Sequence, residues 1–196
     1  MALARIGRLS PENTVFLLCD VQERFRDVIV NMPSVIAVGQ TMIRAASHLD
    51  IPVIATEQYP KAFKHTVSEI DMENVPTFSK TKFSMCIPEV ENELKKHERQ
   101  KCVLFGIEAH VCVLQTTMDL IERGYDVHIV ADGTSSSSLW ERKVAFQRMR
   151  TMGAYITTCE SLLFQLMGDS KHPRFKDISA LIKERRPEPG LMTPSL

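Results

Sequence analysis

The chain reads as an α/β protein, a three-layer α/β/α sandwich around a six-stranded, mostly parallel, doubly wound sheet. Three observations predict this. Thr14-Val-Phe-Leu-Leu-Cys-Asp20 and Lys101-Cys-Val-Leu-Phe-Gly-Ile107 are apolar almost throughout, and a strand without polar alternation is one covered on both faces, as parallel strands are. Residues 101–131 run strand, turn, helix, strand, the βαβ unit that joins parallel neighbours. Short apolar runs then alternate with helical patterns along 196 residues, a length that suits one domain with a core needing no disulfide or metal.

Taken in order, the first strand is Thr14 to Asp20, closed by a carboxylate. Gln22 to Val30 predicts a short helix, and Ser34 to Leu49 a longer one with Ser34 as its N-cap. Pro52 to Thr56 is the second strand, followed by the polar loop Glu57-Gln-Tyr-Pro-Lys61. Residues 61–74 read as loop, with a stretch of helix as the alternative, and Val75 to Lys80 as a short third strand. Pro88 suits a first helical position, opening a charged, solvent-facing helix over Glu89 to His97.

After the fourth strand, Val113, Thr116, Thr117, Leu120 and Ile121 have helical spacing, which predicts a helix over Cys112 to Arg123. Gly124 follows, where a helix end favours a residue tolerant of a left-handed backbone. Asp126 to Ala131 is strand five. Ser135 to Ser138 is a polar turn, since Gly133 alone and no lysine make a poor phosphate loop. Leu139 to Met152 is a helix, Ala154 to Thr158 the sixth strand, and Glu160 to Met167 and His172 to Lys183 the last helices. One domain, residues 1–196, is expected, with 1–12 and the Pro-rich 186–196 as flexible tails.

Composition narrows the function. Lys+Arg 24 matches Asp+Glu 24, so neither a basic stripe for nucleic acid nor an acidic tail for a basic partner is present. No apolar run is long enough to span a membrane. Cys19, Cys86, Cys102, Cys112 and Cys159 are an odd number without CxxC spacing, the pattern of a reducing compartment, not of a disulfide framework or zinc site. Cytoplasm is the expected location. A mitochondrial address is the alternative, because the first ten residues carry two arginines and no acid.

Three polar residues fall at one edge of a parallel sheet: Asp20 closing strand one, Lys80 closing strand three, and Cys112 after strand four. In a doubly wound order strands one and four are neighbours at the topological switch point, where sites gather. The positive end of a helix favours an anion at Cys112, and a thiolate is the stronger nucleophile. Asp20 would serve as base and Lys80 as the compensating cation, with backbone amides of the Glu108–Cys112 turn for an oxyanion. Each has a plainer reading: a buried structural cysteine, a turn-capping Asp, a solvated lysine. Lys82 competes with Lys80, and His110 with Asp20 as the base.

Leu18-Cys-Asp-Val-Gln-Glu-Arg-Phe25, Thr56-Glu-Gln-Tyr-Pro60, Lys80-Thr-Lys-Phe-Ser84, Gly106-Ile-Glu-Ala-His-Val-Cys-Val113 and Gly124-Tyr-Asp-Val-His-Ile-Val-Ala-Asp132 together resemble the isochorismatase-like cysteine hydrolases, most closely the eukaryotic isochorismatase domain-containing proteins. The resemblance covers nearly the whole chain. It implies Asp20 as base, Lys80 as cation and Cys112 as nucleophile. It also implies a cis peptide at Ile107–Glu108, aiming the Glu108 and Cys112 amides at one oxyanion. Nicotinamidases of this family hold a metal through Asp-x-His after strand two. Thr56-Glu-Gln-Tyr59 offers no such motif and His65 alone is too few ligands, so no metal and no cofactor are expected.

Phe25, Gln58, Tyr59, Phe83, Met85, Glu108, His110 and Trp140 are candidates for a substrate pocket, or alternatively for core and subunit interface. The expected activity is metal-independent hydrolysis of a small amide or related C–N bond through a thioester. The alternatives are a silent scaffold or binding protein, a vinyl-ether hydrolase of the isochorismatase type, and a redox-sensing thiol. The expected partners are a small-molecule substrate and further copies of the chain, as homodimer or homotetramer, with neither nucleic acid nor membrane.

Overall fold

The computed structural model describes residues 6–184. Its strands are β1 (Thr14–Cys19), β2 (Val53–Gln58), β3 (Thr77–Lys80), β4 (Lys101–Ile107), β5 (Asp126–Ser135) and β6 (Tyr155–Thr157). They form one six-stranded sheet in the order β3-β2-β1-β4-β5-β6, every pairing parallel. The chain winds outward from β1 to β3, crosses back to β4, and winds outward again. The reversal falls between β1 and β4, as the doubly wound reading requires.

The helices are α1 (Met32–His48), α2 (Pro60–Phe63), α3 (Pro88–His97), α4 (Leu114–Glu122), α5 (Leu139–Thr151), α6 (Cys159–Met167) and α7 (Phe175–Lys183). All of β1 is buried, and its successive side chains enter opposite layers. Phe16 and Leu18 join the α1, α6 and α7 layer with Val103 and Phe105. Val15, Leu17 and Cys19 join the α3, α4 and α5 layer with Cys102 and Leu104. Phe16 and Phe105 meet edge to face at 6.2 Å, a favourable aromatic geometry that locks β1 to β4.

Local departures from the sequence reading have local causes. Gln22 to Val30 holds only a single 3₁₀ turn, Glu23–Phe25. Ser34 is not the N-cap of α1: Asn31, in a left-handed conformation (φ 55°), turns the chain into a helix that starts at Met32. Ser34 is inside that helix and donates to the Asp132 carbonyl at 3.3 Å. Strand β5 continues to Ser135 through an irregularity opposite Leu104 and Gly106, which shortens the polar turn. Ser138 accepts from the Glu141 amide and caps α5.

The expected N-terminal tail is ordered over part of its length: Leu9 is buried in the α1 layer, and Pro11–Asn13 is a 3₁₀ turn. Residues 1–5 and the expected tail 186–196 lie outside the described residues. Among the described residues no helix is long and apolar enough to cross a membrane.

Candidate active site

The site begins where β1 stops. Asp20 follows Cys19 in a left-handed conformation, φ 56°, which breaks strand alternation. Its carboxylate is buried, 1% exposed, so each oxygen needs a partner. Oδ1 accepts from Thr56 Oγ1 at 2.8 Å. Oδ2 accepts from Lys80 Nζ at 2.6 Å.

Lys80 ends β3, two strands from β1, a separation of about 10 Å. A lysine stem spans most of that gap and a short carboxylate closes it. Besides Asp20, the Lys80 ammonium donates to Gln58 Oε1 at 2.6 Å, the Phe83 carbonyl at 2.9 Å and the Lys82 carbonyl at 3.2 Å. Burial pulls its pKa down, but its neighbours, the paired Asp20 carboxylate among them, outweigh that and lift it above the ordinary lysine value. Lys80 is therefore a fixed cation. Lys82, its competitor, turns away to Asp119 Oδ2 at 2.7 Å and the Cys86 carbonyl.

Cys112 lies between β4 and α4 on a π-helical turn, Ala109–Val113, and is 6% exposed. Helix α4 starts only after it, at Leu114. The expected cis peptide at Ile107–Glu108 is absent: that bond is trans, like every other in the described residues. Glu108 instead takes a left-handed conformation, φ 54° and ψ 63°. That change of direction, with the wide turn after it, reverses the chain without a cis bond, which costs about 3 kcal/mol outside proline. Strand β4 can pass this close to β1 because of Gly106, where an added Cβ would sit 2.1 Å from the Cys19 carbonyl oxygen.

Two site residues escaped the sequence reading. Thr56 holds the second oxygen of Asp20, and it is the register partner of Cys19. Cys19 itself donates to Asp20 Oδ2 at 3.6 Å. Burial first, then its neighbours Cys112 and Asp20, push the Cys19 thiol well above its ordinary pKa. Strand alternation already placed Cys19 on the Cys112 side of the sheet. Its adjacency to Asp20 was the available signal.

The other candidates divide. Gln58 is part of the site, braced by Gln22, whose Oε1 accepts from the Gln58 amide at 2.8 Å. Phe83 contributes its carbonyl, and its ring is exposed, as are Tyr59 and Trp140. Met85 lines no open surface; it is fully buried in the core layer that holds Cys112. Phe25 stacks on Phe63 at 4.8 Å and packs against the opposite, α1 layer. His110 Nδ1 faces Ser136 Oγ at 3.1 Å and Glu108 Oε2 at 3.3 Å, and Glu108 also accepts from the Ser137 amide. This cluster ties the π turn to the loop before α5. Glu57 is committed to His65 at 2.9 Å and to the Thr66 amide at 2.7 Å. Among the described residues no three His, Cys, Asp or Glu side chains are grouped to hold a metal.

The isochorismatase domain model matches residues 14–161. Isochorismatase domain-containing protein 2 of Xenopus laevis is 46% identical over 193 residues, 98% of this chain and 94% of that protein. The secreted isochorismatase effector Isc1 of Phytophthora sojae is 49% identical over 190 residues, 93% of this chain and 90% of its own length. Among solved structures, the MAR1 ribonuclease from Caenorhabditis elegans superposes with a TM-score of 0.91 at 48% identity, covering 95% of this chain and 98% of that one.

Proposed function

The chain belongs to the isochorismatase family, and on that premise we propose that it is a metal-independent cysteine hydrolase of a small amide or related C–N bond. Asp20 takes the Cys112 thiol proton, and the sulfur attacks the carbonyl carbon. The tetrahedral oxyanion is held by the backbone amides of Glu108 and Cys112. The C–N bond breaks as Asp20 returns the proton to the leaving nitrogen. Water then attacks the thioester, giving its proton to Asp20, and the carboxylic acid departs as the thiol re-forms. Lys80 holds the Asp20 carboxyl in position throughout.

The observation that carries this reading is the buried Asp20–Lys80 pair at 2.6 Å, at the end of β1, whose neighbour β4 leads into the π turn that carries Cys112. A ribonuclease activity, named for the Caenorhabditis elegans relative, is less well supported: with a formal net charge of zero, the chain offers little attraction for a phosphate backbone. Copies of the chain would associate through the exposed apolar residues Leu139, Trp140 and Val144 of α5, a point that light scattering checks.

The test is a screen of small amides, vinyl ethers and RNA with Cys112→Ala as control. Amide turnover that is abolished by Cys112→Ala, nearly abolished by Lys80→Ala and retained by Cys102→Ala supports the reading. Vinyl-ether or RNA cleavage that survives Cys112→Ala contradicts it. A protein that turns over none of these substrates, and whose Cys112 is inert to alkylation, is the silent scaffold.

A further inference from the structure

We propose that Gln22 is a positioning residue for the Asp20–Lys80 pair. Its buried carboxamide takes the place of the strand that β1 no longer supplies, fixes Gln58, and through Gln58 holds the Lys80 ammonium. The inference rests on the reading of Asp20, Lys80 and Cys112 as the reacting site, and adds a residue that acts on it at one remove.

The need for such a residue arises where β1 ends. In the parallel β1–β2 pair the Asp20 amide donates to the Thr56 carbonyl at 3.1 Å, the last step of that ladder. Asp20 then turns left-handed, φ 56°. The next backbone groups of β2 on that side, the N–H and C=O of Gln58, are left without a β1 residue opposite them. Gln22 meets both with its side chain: Oε1 accepts from the Gln58 amide at 2.8 Å, and Nε2 donates to the Gln58 carbonyl at 3.0 Å. These are one acceptor and one donor, as a neighbouring strand would offer. The same Nε2 donates to the Lys64 carbonyl at 2.6 Å, which anchors the carboxamide from a second segment. Gln22 is fully buried, where an amide is costly unless bonded in this way.

The consequence reaches Lys80. Of the acceptors around its ammonium, the Lys82 and Phe83 carbonyls lie two and three positions along the same segment and move with it. Among the described residues, Asp20 Oδ2 and Gln58 Oε1, each at 2.6 Å, are the acceptors that tie the ammonium to other strands. Gln58 Nε2 donates to the Thr81 carbonyl at 2.9 Å, which turns the carboxamide oxygen towards Lys80. The stretch Asp20-Val-Gln22 therefore supplies the carboxylate directly and steadies the neutral acceptor through Gln58. With an apolar side chain at position 22, Gln58 loses two backbone bonds, and the ammonium keeps the carboxylate as its one fixed anchor.

The test is timed iodoacetamide labelling of Cys112 in the full chain, read by peptide mapping, in a double-mutant cycle of Gln22→Met and Gln58→Leu. Gln22→Met keeps the volume and removes all three hydrogen bonds. In otherwise wild-type protein it should slow Cys112 labelling about five-fold, the size of one lost hydrogen bond. In the Gln58→Leu protein the link to Lys80 is already cut, and the same substitution should change the rate by less than about two-fold. Gln22→Glu keeps the acceptor for the Gln58 amide but turns an oxygen towards two carbonyls. It replaces Gln22→Met in the cycle, with the same expectation, if that variant does not fold. A residue that only braces the scaffold lowers Tm without this dependence on Gln58. Labelling unchanged by the Gln22 substitution, or slowed by more than about two-fold in the Gln58→Leu protein as well, overturns the proposal. If wild-type Cys112 labels rapidly, the hydrolase reading survives either result. If wild-type Cys112 labels no faster than Cys86 or Cys102, both fall.

Discussion

Lys80 Nζ stands 2.6 Å from Asp20 Oδ2 with neither side chain more than 2% exposed. Taking both charges out of water costs several kcal/mol per ion, which the contact only offsets if every remaining hydrogen-bonding group is satisfied. The pair meets that condition: Gln58, Phe83 and Lys82 accept from the ammonium and Thr56 donates to the carboxylate. Two apolar residues of similar volume would fill the space at comparable stability, so chemistry at Cys112 is the reason we infer for keeping the charges.

The pair can be tested through stability alone. Lys80→Met leaves Asp20 buried and uncompensated and should cost about 3–5 kcal/mol in urea unfolding. Adding Asp20→Leu to the same protein should recover more than half of that loss. A double variant less stable than the single one would show that the pair is held for stability.

Gln58 offers a milder probe. Gln58→Leu removes one acceptor from Lys80 and the donor to the Thr81 carbonyl, and should cost about 1.5–3 kcal/mol, the range for a hydrogen bond to a charged group. Amide turnover should fall with it, through kcat more than KM, because the residue positions Lys80. An unchanged kcat beside the full stability loss would confine Gln58 to the scaffold.

Gly106→Ala should be among the most destabilising single changes in the chain, about 4 kcal/mol or more. The backbone has φ 142°, and the new methyl would fall on the Cys19 carbonyl. Thermal unfolding measures the loss. A variant as stable as wild type would mean that β4 can draw away from β1 without cost.

Acid should weaken the fold through His128. Its ring stacks on Tyr155 at 4.6 Å, and Nε2 has no hydrogen-bond partner among the described residues. Burial, then the Lys101 charge, hold its pKa down to about 4. The folded state thus binds its proton less readily than the unfolded chain, in which histidine titrates near 6.5. Stability should be fully present above pH of about 6.5 and decline as pH falls towards 4, by about 3 kcal/mol in all. His128→Phe should flatten that slope. An unchanged slope would place the acid sensitivity elsewhere.

The sheet was legible because its strands are continuous apolar runs, and Asp20 and Lys80 because they close two of them. In sequence only the family resemblance separated Lys80 from Lys82; in three dimensions Asp119 claims the second lysine. Thr56 and Cys19 looked like ordinary strand residues. Their roles depend on the left-handed backbone of Asp20, which no periodicity reports. The trans, left-handed turn at Glu108 was likewise invisible: a turn after a strand can be foreseen, but its dihedral angles depend on how β4 meets the π turn. Met85 shows the opposite error, a residue near the site in sequence whose side chain fills the core.

Reactivity of the cysteines at neutral pH tests the central claim most directly. Timed iodoacetamide labelling with peptide mapping should show Cys112 modified at least ten-fold faster than Cys86, Cys102 or Cys159, and slowed at least ten-fold in a folded Lys80→Gln protein. Labelling that is uniformly slow at all of these sulfurs, or fastest at a cysteine other than 112, would contradict the account.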